Sequence, residues 1–188
     1  MHTLQGVCVF CGSSPGNDPI YLETARQLGQ ILAKAGVPLV FGGGSLGLMG
    51  EVAGSTMKAG GRVTGIIPEF LRNVEPPLGS ISELIVTRTM HERKARMFAL
   101  SDAFAVLPGG IGTLEETVEM LTWSQLRLHK KPVVIINTQG YWTPLVSLLD
   151  SFVQRQFARD SLHDLYSVVD TPDAVLPAIY AALQHSPA

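Results

Sequence analysis

The residue types best suited to chemistry fall in one run, Pro108-Gly109-Gly110-Ile111-Gly112-Thr113-Leu114-Glu115-Glu116. Its glycines allow a backbone to approach an anion with no Cβ in the way. The stretch Asp102 to Leu107 before it reads as a buried strand, and the apolar positions from Thr117 to Leu126 recur at helical spacing. The glycines therefore sit at a strand-to-helix turn, where unpaired N–H groups and the helix dipole favour a phosphate. With a helix starting near Gly112, Thr113 and Glu116 share one face of its first turn. Two accounts of that carboxylate stand side by side. Thr113 and Glu116 could form a capping box, Thr-x-x-Glu; alternatively Glu116 faces a cation that develops in the substrate next to its anchoring phosphate.

Other groups compete for a role. Thr89 to Leu100 reads as a helix on which Met90, Lys94 and Met97 share a stripe, with Arg93 beside it. Arg93, Lys94 and Arg96 concentrate positive charge there, Arg96 on what reads as a solvated face. His91-Glu92 lacks the second histidine of a zinc helix. Ser13 and Ser14, in the loop Gly12 to Asn17, suit either turn chemistry or ligand contact. Gly42, Gly44 and Gly47 satisfy G-x-G-x-x-G, with Glu69 roughly twenty residues on, so they suit either a dinucleotide or close helix-strand packing. The irregular segment Pro68 to Ser80 carries Glu69, Arg72, Asn73 and Glu75, and reads either as a cover for a pocket or as a solvated connection. Cys8 and Cys11 are three apart inside a strand and so point to opposite faces, which makes them buried reduced thiols rather than a redox or zinc pair.

These groups must be positioned by a regular framework. Strands are expected at Gly6 to Cys11, Val37 to Phe41, Arg62 to Ile67, Glu83 to Arg88, Asp102 to Leu107, Pro132 to Asn137 and Tyr166 to Val169. Helices are expected at Tyr21 to Ala35, Leu48 to Ala59, Thr89 to Leu100, Gly112 to Leu126, Trp142 to Phe157 and Pro172 to Leu183. Strict alternation predicts an α/β fold, a single Rossmann-like doubly wound domain over residues 1–188, mostly parallel, with helices on both faces. The loops at Gly12, Gly42 and Pro108 would gather at the carboxyl ends of the strands, where such sheets bind ligands. The 188 residues, 46% hydrophobic and 16% charged, suit one well-buried α/β domain. A net charge of −2 and a pI near 6.2 give no basis for a nucleic-acid or membrane partner. Met1 to Gln5 is polar and Val7 to Cys11 too short for a signal core, so the expected location is cytoplasmic.

Taken together, Met90-His91-Glu92-Arg93-Lys94-Ala95-Arg96-Met97 and Pro108 to Glu116 resemble the LONELY GUY family of cytokinin riboside 5′-monophosphate phosphoribohydrolases. The loops Cys11-Gly12-Ser13-Ser14 and Phe41-Gly42-Gly43-Gly44 fit the same pattern in the same order, so the resemblance runs from Val7 to about Asp150. It implies hydrolysis of the N-glycosidic bond of a purine nucleoside 5′-monophosphate, a small-molecule substrate, by a homodimer with no metal or cofactor. Carried over by position, it makes Arg93 and Glu116 catalytic. Glu75, Arg93, Lys94, Gly109, Gly110, Ile111, Gly112, Thr113, Leu114, Glu115, Glu116 and Thr122 would bind the nucleotide, with Ser13, Ser14, Gly43, Gly44 and Met90 as additional candidates. Three rivals remain: a non-catalytic nucleotide or cofactor carrier, a dinucleotide-dependent oxidoreductase, and a lysine decarboxylase. The last name has been given to similar sequences and would require pyridoxal phosphate on a lysine such as Lys94.

Overall fold

The computed structural model describes residues 3–74, 76–79 and 81–185. Its strands are β1 (Val7–Phe10), β2 (Leu39–Phe41), β3 (Val63–Pro68), β4 (Glu83–Thr87), β5 (Ala103–Val106), β6 (Val133–Ile136) and β7 (Ser167–Val169). Its α-helices are α1 (Pro19–Lys34), α2 (Gly47–Lys58), α3 (Met90–Ala99), α4 (Ile111–Gln125), α5 (Thr143–Gln154) and α6 (Val175–His185). The strands form one sheet in the order β4-β3-β2-β1-β5-β6-β7, and each adjacent pair is parallel. From β1 the chain winds outward to β4, then returns to lay β5 against β1 with Val7 opposite Ala103 and Phe10 opposite Val106. Strand order reverses there, so the loops leaving β1 and β5 part and open a crevice at the middle of the sheet.

Strands buried on both faces need apolar residues at every position. β1, β2, β5 and β6 meet that condition throughout. One side of the sheet packs Val7, Val9 and Phe41 against Leu28 and Leu32 of α1, Val52 of α2 and Ile179 of α6. The other packs Cys8, Phe10 and Phe104 against Met97 of α3, Met120 and Leu121 of α4, and Leu149 of α5. Cys8 and Cys11 fall in opposite layers, both buried and both free, as strand alternation requires.

Local chemistry sets the helix ends. Asp18 accepts from the Ile20 N–H at 2.9 Å, Pro19 opens α1, and Gly36 beyond its end takes φ 67°. At α3, Thr89 Oγ1 accepts from the Glu92 N–H at 3.1 Å while Glu92 Oε2 accepts from the Arg88 N–H at 2.9 Å. A Thr-x-x-Glu cap thus forms at Thr89 and not at Thr113, because α4 begins at Ile111 with Gly110 at its N-cap and no side chain bonded there. Pro68 ends β3 and leads into a 3-10 turn over Glu69–Leu71, and a longer 3-10 segment, Asp160–Leu165, lies where no element is expected from sequence. Among the described residues, no helix is long and apolar enough to cross a membrane.

Candidate active site

The loops that follow β1, β2 and β5 converge at the crevice, together with the start of α3, and enclose a cleft of about 380 Å³. The wall suited by its chemistry to an anion is the N-terminus of α4. The first backbone bond of that helix runs from the Leu114 N–H to the Gly110 carbonyl at 3.0 Å, so among the described residues the N–H groups of Gly110, Ile111, Gly112 and Thr113 take no backbone acceptor. Gly109 must lack a side chain, since a Cβ there would overlap Thr113 Oγ1 and come within 2.8 Å of the Gly12 nitrogen. Gly12 joins the two central loops, its N–H donating to the Pro108 carbonyl at 3.0 Å.

The same residue decides the fate of the second glycine motif. The Gly12 carbonyl accepts from Leu48 N–H at 3.0 Å and Met49 N–H at 3.3 Å, which occupies donors at the start of α2 that a pyrophosphate would need. Gly47, at φ 59°, lies so close to the Ser13–Ser14 backbone that a Cβ would overlap it, and a Cβ at Gly42 would overlap Arg93 Nη2. These glycines serve packing, and the dinucleotide reading loses its physical basis.

Opposite α4 stands Arg93, only 6% exposed. Its Nε donates to the Ile66 carbonyl at 3.1 Å and its Nη2 to the Gly42 carbonyl at 3.0 Å, which ties the guanidinium to the carboxyl ends of β3 and β2. Nη1 lies 3.8 Å from Met90 Sδ. Among the described residues no carboxylate pairs with Arg93. A buried cation held by neutral carbonyls retains its charge for an anionic or electron-rich guest. Glu116 lines the same cleft, and its charge is felt at the cleft floor: burial first, and then Glu116, push the Cys11 thiol well above its ordinary range. That thiol is inert at neutral pH. Met49, Leu71, Met90 and Ile111 give the cleft an apolar side suited to a base.

Of the residues expected from sequence, the cleft gathers Arg93, Glu115 and Glu116, the α4 start from Gly110 to Thr113, and Ser13 and Met90. Gly109 stands just behind that start, and Gly43 and Gly44 shape the β2 loop, where Gly43 takes φ 81° and Gly44 bridges to Pro77. Ser14 is exposed and its Oγ accepts from the Gly16 N–H at 3.5 Å. Leu114 packs toward the α3–α5 layer, and Thr122 lies exposed about three turns along α4, donating to the Val118 carbonyl at 2.8 Å. Glu75 lies outside the described residues.

Lys94 sits at the seam between α3 and α4. Its Nζ lies 2.6 Å from Glu115 Oε1 and 3.0 Å from Glu119 Oε2. Burial alone would lower its pKa, but the two carboxylates outweigh burial and hold it above the ordinary lysine value. An ammonium so held does not fit the Schiff-base lysine of a pyridoxal phosphate enzyme, which must deprotonate to react. Among the described residues, no group of three His, Cys, Asp or Glu is arranged to hold a metal ion. Two contributors escape a reading by sequence. Glu119 carries the spacing signal i, i+4 from Glu115, but Tyr141, whose hydroxyl donates to the Gly109 carbonyl at 2.6 Å, carries none.

Comparison with known proteins agrees with this geometry. The family model described as "Possible lysine decarboxylase" matches residues 49–179. A rice (Oryza sativa subsp. japonica) protein named "Probable cytokinin riboside 5'-monophosphate phosphoribohydrolase LOGL1" is 45% identical over 168 residues, 89% of this chain and 74% of its own. The Arabidopsis thaliana protein "Cytokinin riboside 5'-monophosphate phosphoribohydrolase LOG2" is 44% identical over 168 residues, 89% and 78% of the two chains. Among solved structures, the molybdenum cofactor binding protein of Rippkaea orientalis superposes with a TM-score of 0.69 at 25% identity, covering 95% of this chain and 97% of that one. The Moco carrier protein of Chlamydomonas reinhardtii gives 0.70 at 23% identity over 96% and 98%, a likeness of fold. The glycine loop on α4, the arginine on α3 and identity near 45% with proteins carrying that name place the chain in the LONELY GUY family of cytokinin riboside 5′-monophosphate phosphoribohydrolases.

Proposed function

We propose that this chain hydrolyses the N-glycosidic bond of purine nucleoside 5′-monophosphates, cytokinin riboside monophosphates or AMP, to the free base and ribose 5-phosphate. One arrangement carries the reading: a buried arginine without a carboxylate partner among the described residues faces, across one cleft, a helix start with unused N–H groups and a carboxylate. The phosphate docks on the N–H groups of Gly110 to Thr113. Glycosidic cleavage builds positive charge at the ribose C1′, which Glu116 stabilises while it orients and deprotonates the attacking water. A C–O bond forms at C1′ as the C–N bond breaks, the base departs with the electron pair, and it becomes the neutral free base by taking a proton from solvent, to which Glu116 returns the one it took from water. Arg93, which stays charged, favours that negative charge without donating a proton. Glu115 is the neighbouring ribose contact, and Lys94 holds it in place through its ion pair. Glu75 and Thr122 complete the expected set of nucleotide contacts on family resemblance.

The reading takes residues 1–188 as a single nucleotide-binding hydrolase domain, acting in the cytoplasm as a homodimer and without a nucleic-acid or membrane partner. Exposed Val118 on α4 and Leu126 just beyond its end support pairing with a second copy. Likeness to a molybdenum cofactor binding protein supports a second reading, a carrier protein that binds its ligand without cleaving it. Glu116→Gln separates the two. An enzyme should retain AMP affinity within about threefold and lose about 10²- to 10³-fold in kcat; turnover unchanged by the substitution would remove the role given to Glu116, and AMP binding without turnover in the native protein would favour the carrier.

A further inference from the structure

The peptide between Gly109 and Gly110 controls what the α4 start presents to a guest. Gly110 is the N-cap, and the helix makes no use of the Gly109 carbonyl, since its first bond returns to Gly110. Two adjacent glycines oppose rotation of that peptide less than any other pair. In a trans peptide the Gly109 C=O and the Gly110 N–H point in opposite directions. A carbonyl turned into the cleft would set a negative oxygen where the anion must sit and would remove one of its donors.

Tyr141 opposes that rotation. Its hydroxyl donates to the Gly109 carbonyl at 2.6 Å, the one bond recorded for that oxygen among the described residues. The turn that delivers it is constrained on every side. Gln139 and Gly140 take successive left-handed conformations, φ 54° and 71°, a sparsely populated arrangement for glutamine. Asn137 then fixes the next residues, its Oδ1 accepting from the Trp142 N–H at 2.7 Å and its Nδ2 donating to Thr143 Oγ1 at 3.1 Å. The Tyr141 ring stands edge-on to Tyr21 at 5.6 Å and to Trp142 at 5.0 Å, which leaves the hydroxyl little freedom. We infer that Tyr141, bonded to the Gly109 carbonyl, is a positioning residue that keeps the Gly110 N–H turned into the anion cradle and thereby sets affinity for the substrate's phosphate.

The inference rests on the proposed phosphate site and is tested apart from it. Tyr141→Phe removes one oxygen from a side chain that is 38% exposed, so the fold should persist, with a melting temperature close to that of the native protein. The variant should raise KM for AMP and the inhibition constant for ribose 5-phosphate by about 3- to 10-fold, the effect of one lost hydrogen bond. Inhibition by adenine, which carries no phosphate, should not move, and kcat should stay within about twofold. Tyr21→Phe, which keeps the ring contact, should leave all four values unchanged. Equal ribose 5-phosphate inhibition in the native and Tyr141→Phe proteins would overturn the assignment. So would parallel weakening by adenine, which marks general disturbance of the cleft, or a fall in kcat alone, which would place the hydroxyl at the reacting atoms. Native protein that binds neither AMP nor ribose 5-phosphate would remove the anion site itself, an outcome read without any variant.

Discussion

Arg93 can serve in a buried cleft because neutral backbone oxygens, not carboxylates, hold it among the described residues. Its two carbonyl partners fix the guanidinium plane without cancelling its charge. Gly42 makes room for this, and that gives a specific expectation. Gly42→Ala places a methyl group against Arg93 Nη2 and should lower kcat/KM by about 10- to 100-fold, the scale of a 1 Å misplacement in an active site. The circular dichroism spectrum should stay native; activity within twofold of the native protein would show that the guanidinium position is not critical. Glu116 was legible in the sequence by its place after the glycine loop, with a cap as the rival reading, and Arg93 through the family resemblance of its motif. What holds Arg93 was not, because Ile66 and Gly42 lie 27 and 51 residues away and meet it only through strand order.

At the scale of elements, the working parts are helix starts. Thr-x-x-Glu occurs at Thr89 and again at Thr113, with the same spacing, yet only the first caps a helix. Sequence alone could not choose between them, since the choice turns on where α4 begins; the second glutamate lines the cleft. Lys94 binds the two helices together. Lys94→Met leaves the partly buried Glu119 carboxylate without its cation and should cost about 1–3 kcal/mol of stability, seen as a lower denaturant midpoint. Restoration by the double variant Lys94→Met with Glu119→Gln would identify the lost ion pair as the cause; an unchanged midpoint in Lys94→Met would deny the tie. The strand and helix order was readable throughout from hydrophobic periodicity. Tyr141 was not, because it lies between elements, and what it bonds depends on the path of a strained turn.

For the whole molecule, topology does what no single motif can: the reversal of strand order between β1 and β5 brings the Gly12 and Pro108 loops to one crevice. The opposite edge carries a pH dependence of its own. His129, buried beneath α4, accepts from the Lys131 N–H through Nδ1 at 3.0 Å, and its Nε2 lies 3.0 Å from the Met120 carbonyl, so the neutral ring fits both partners. Burial, aided by Lys131 and opposed by the Met120 carbonyl, lowers its pKa below the ordinary value of 6.5. Below about pH 6.5 the unfolded chain takes up that proton before the folded one does, so stability is complete above that pH and declines as the pH falls. The melting temperature should therefore drop more steeply between pH 7 and about pH 5 in the native protein than in His129→Gln; equal slopes would contradict this. The central claim concerns the assembled cleft, and base release from a matched pair, AMP and adenosine, tests it most directly. The phosphate should confer at least about 10²-fold in kcat/KM, because its binding energy at the α4 start orients the ribose against Glu116. Equal release from the nucleoside and its monophosphate would contradict the account.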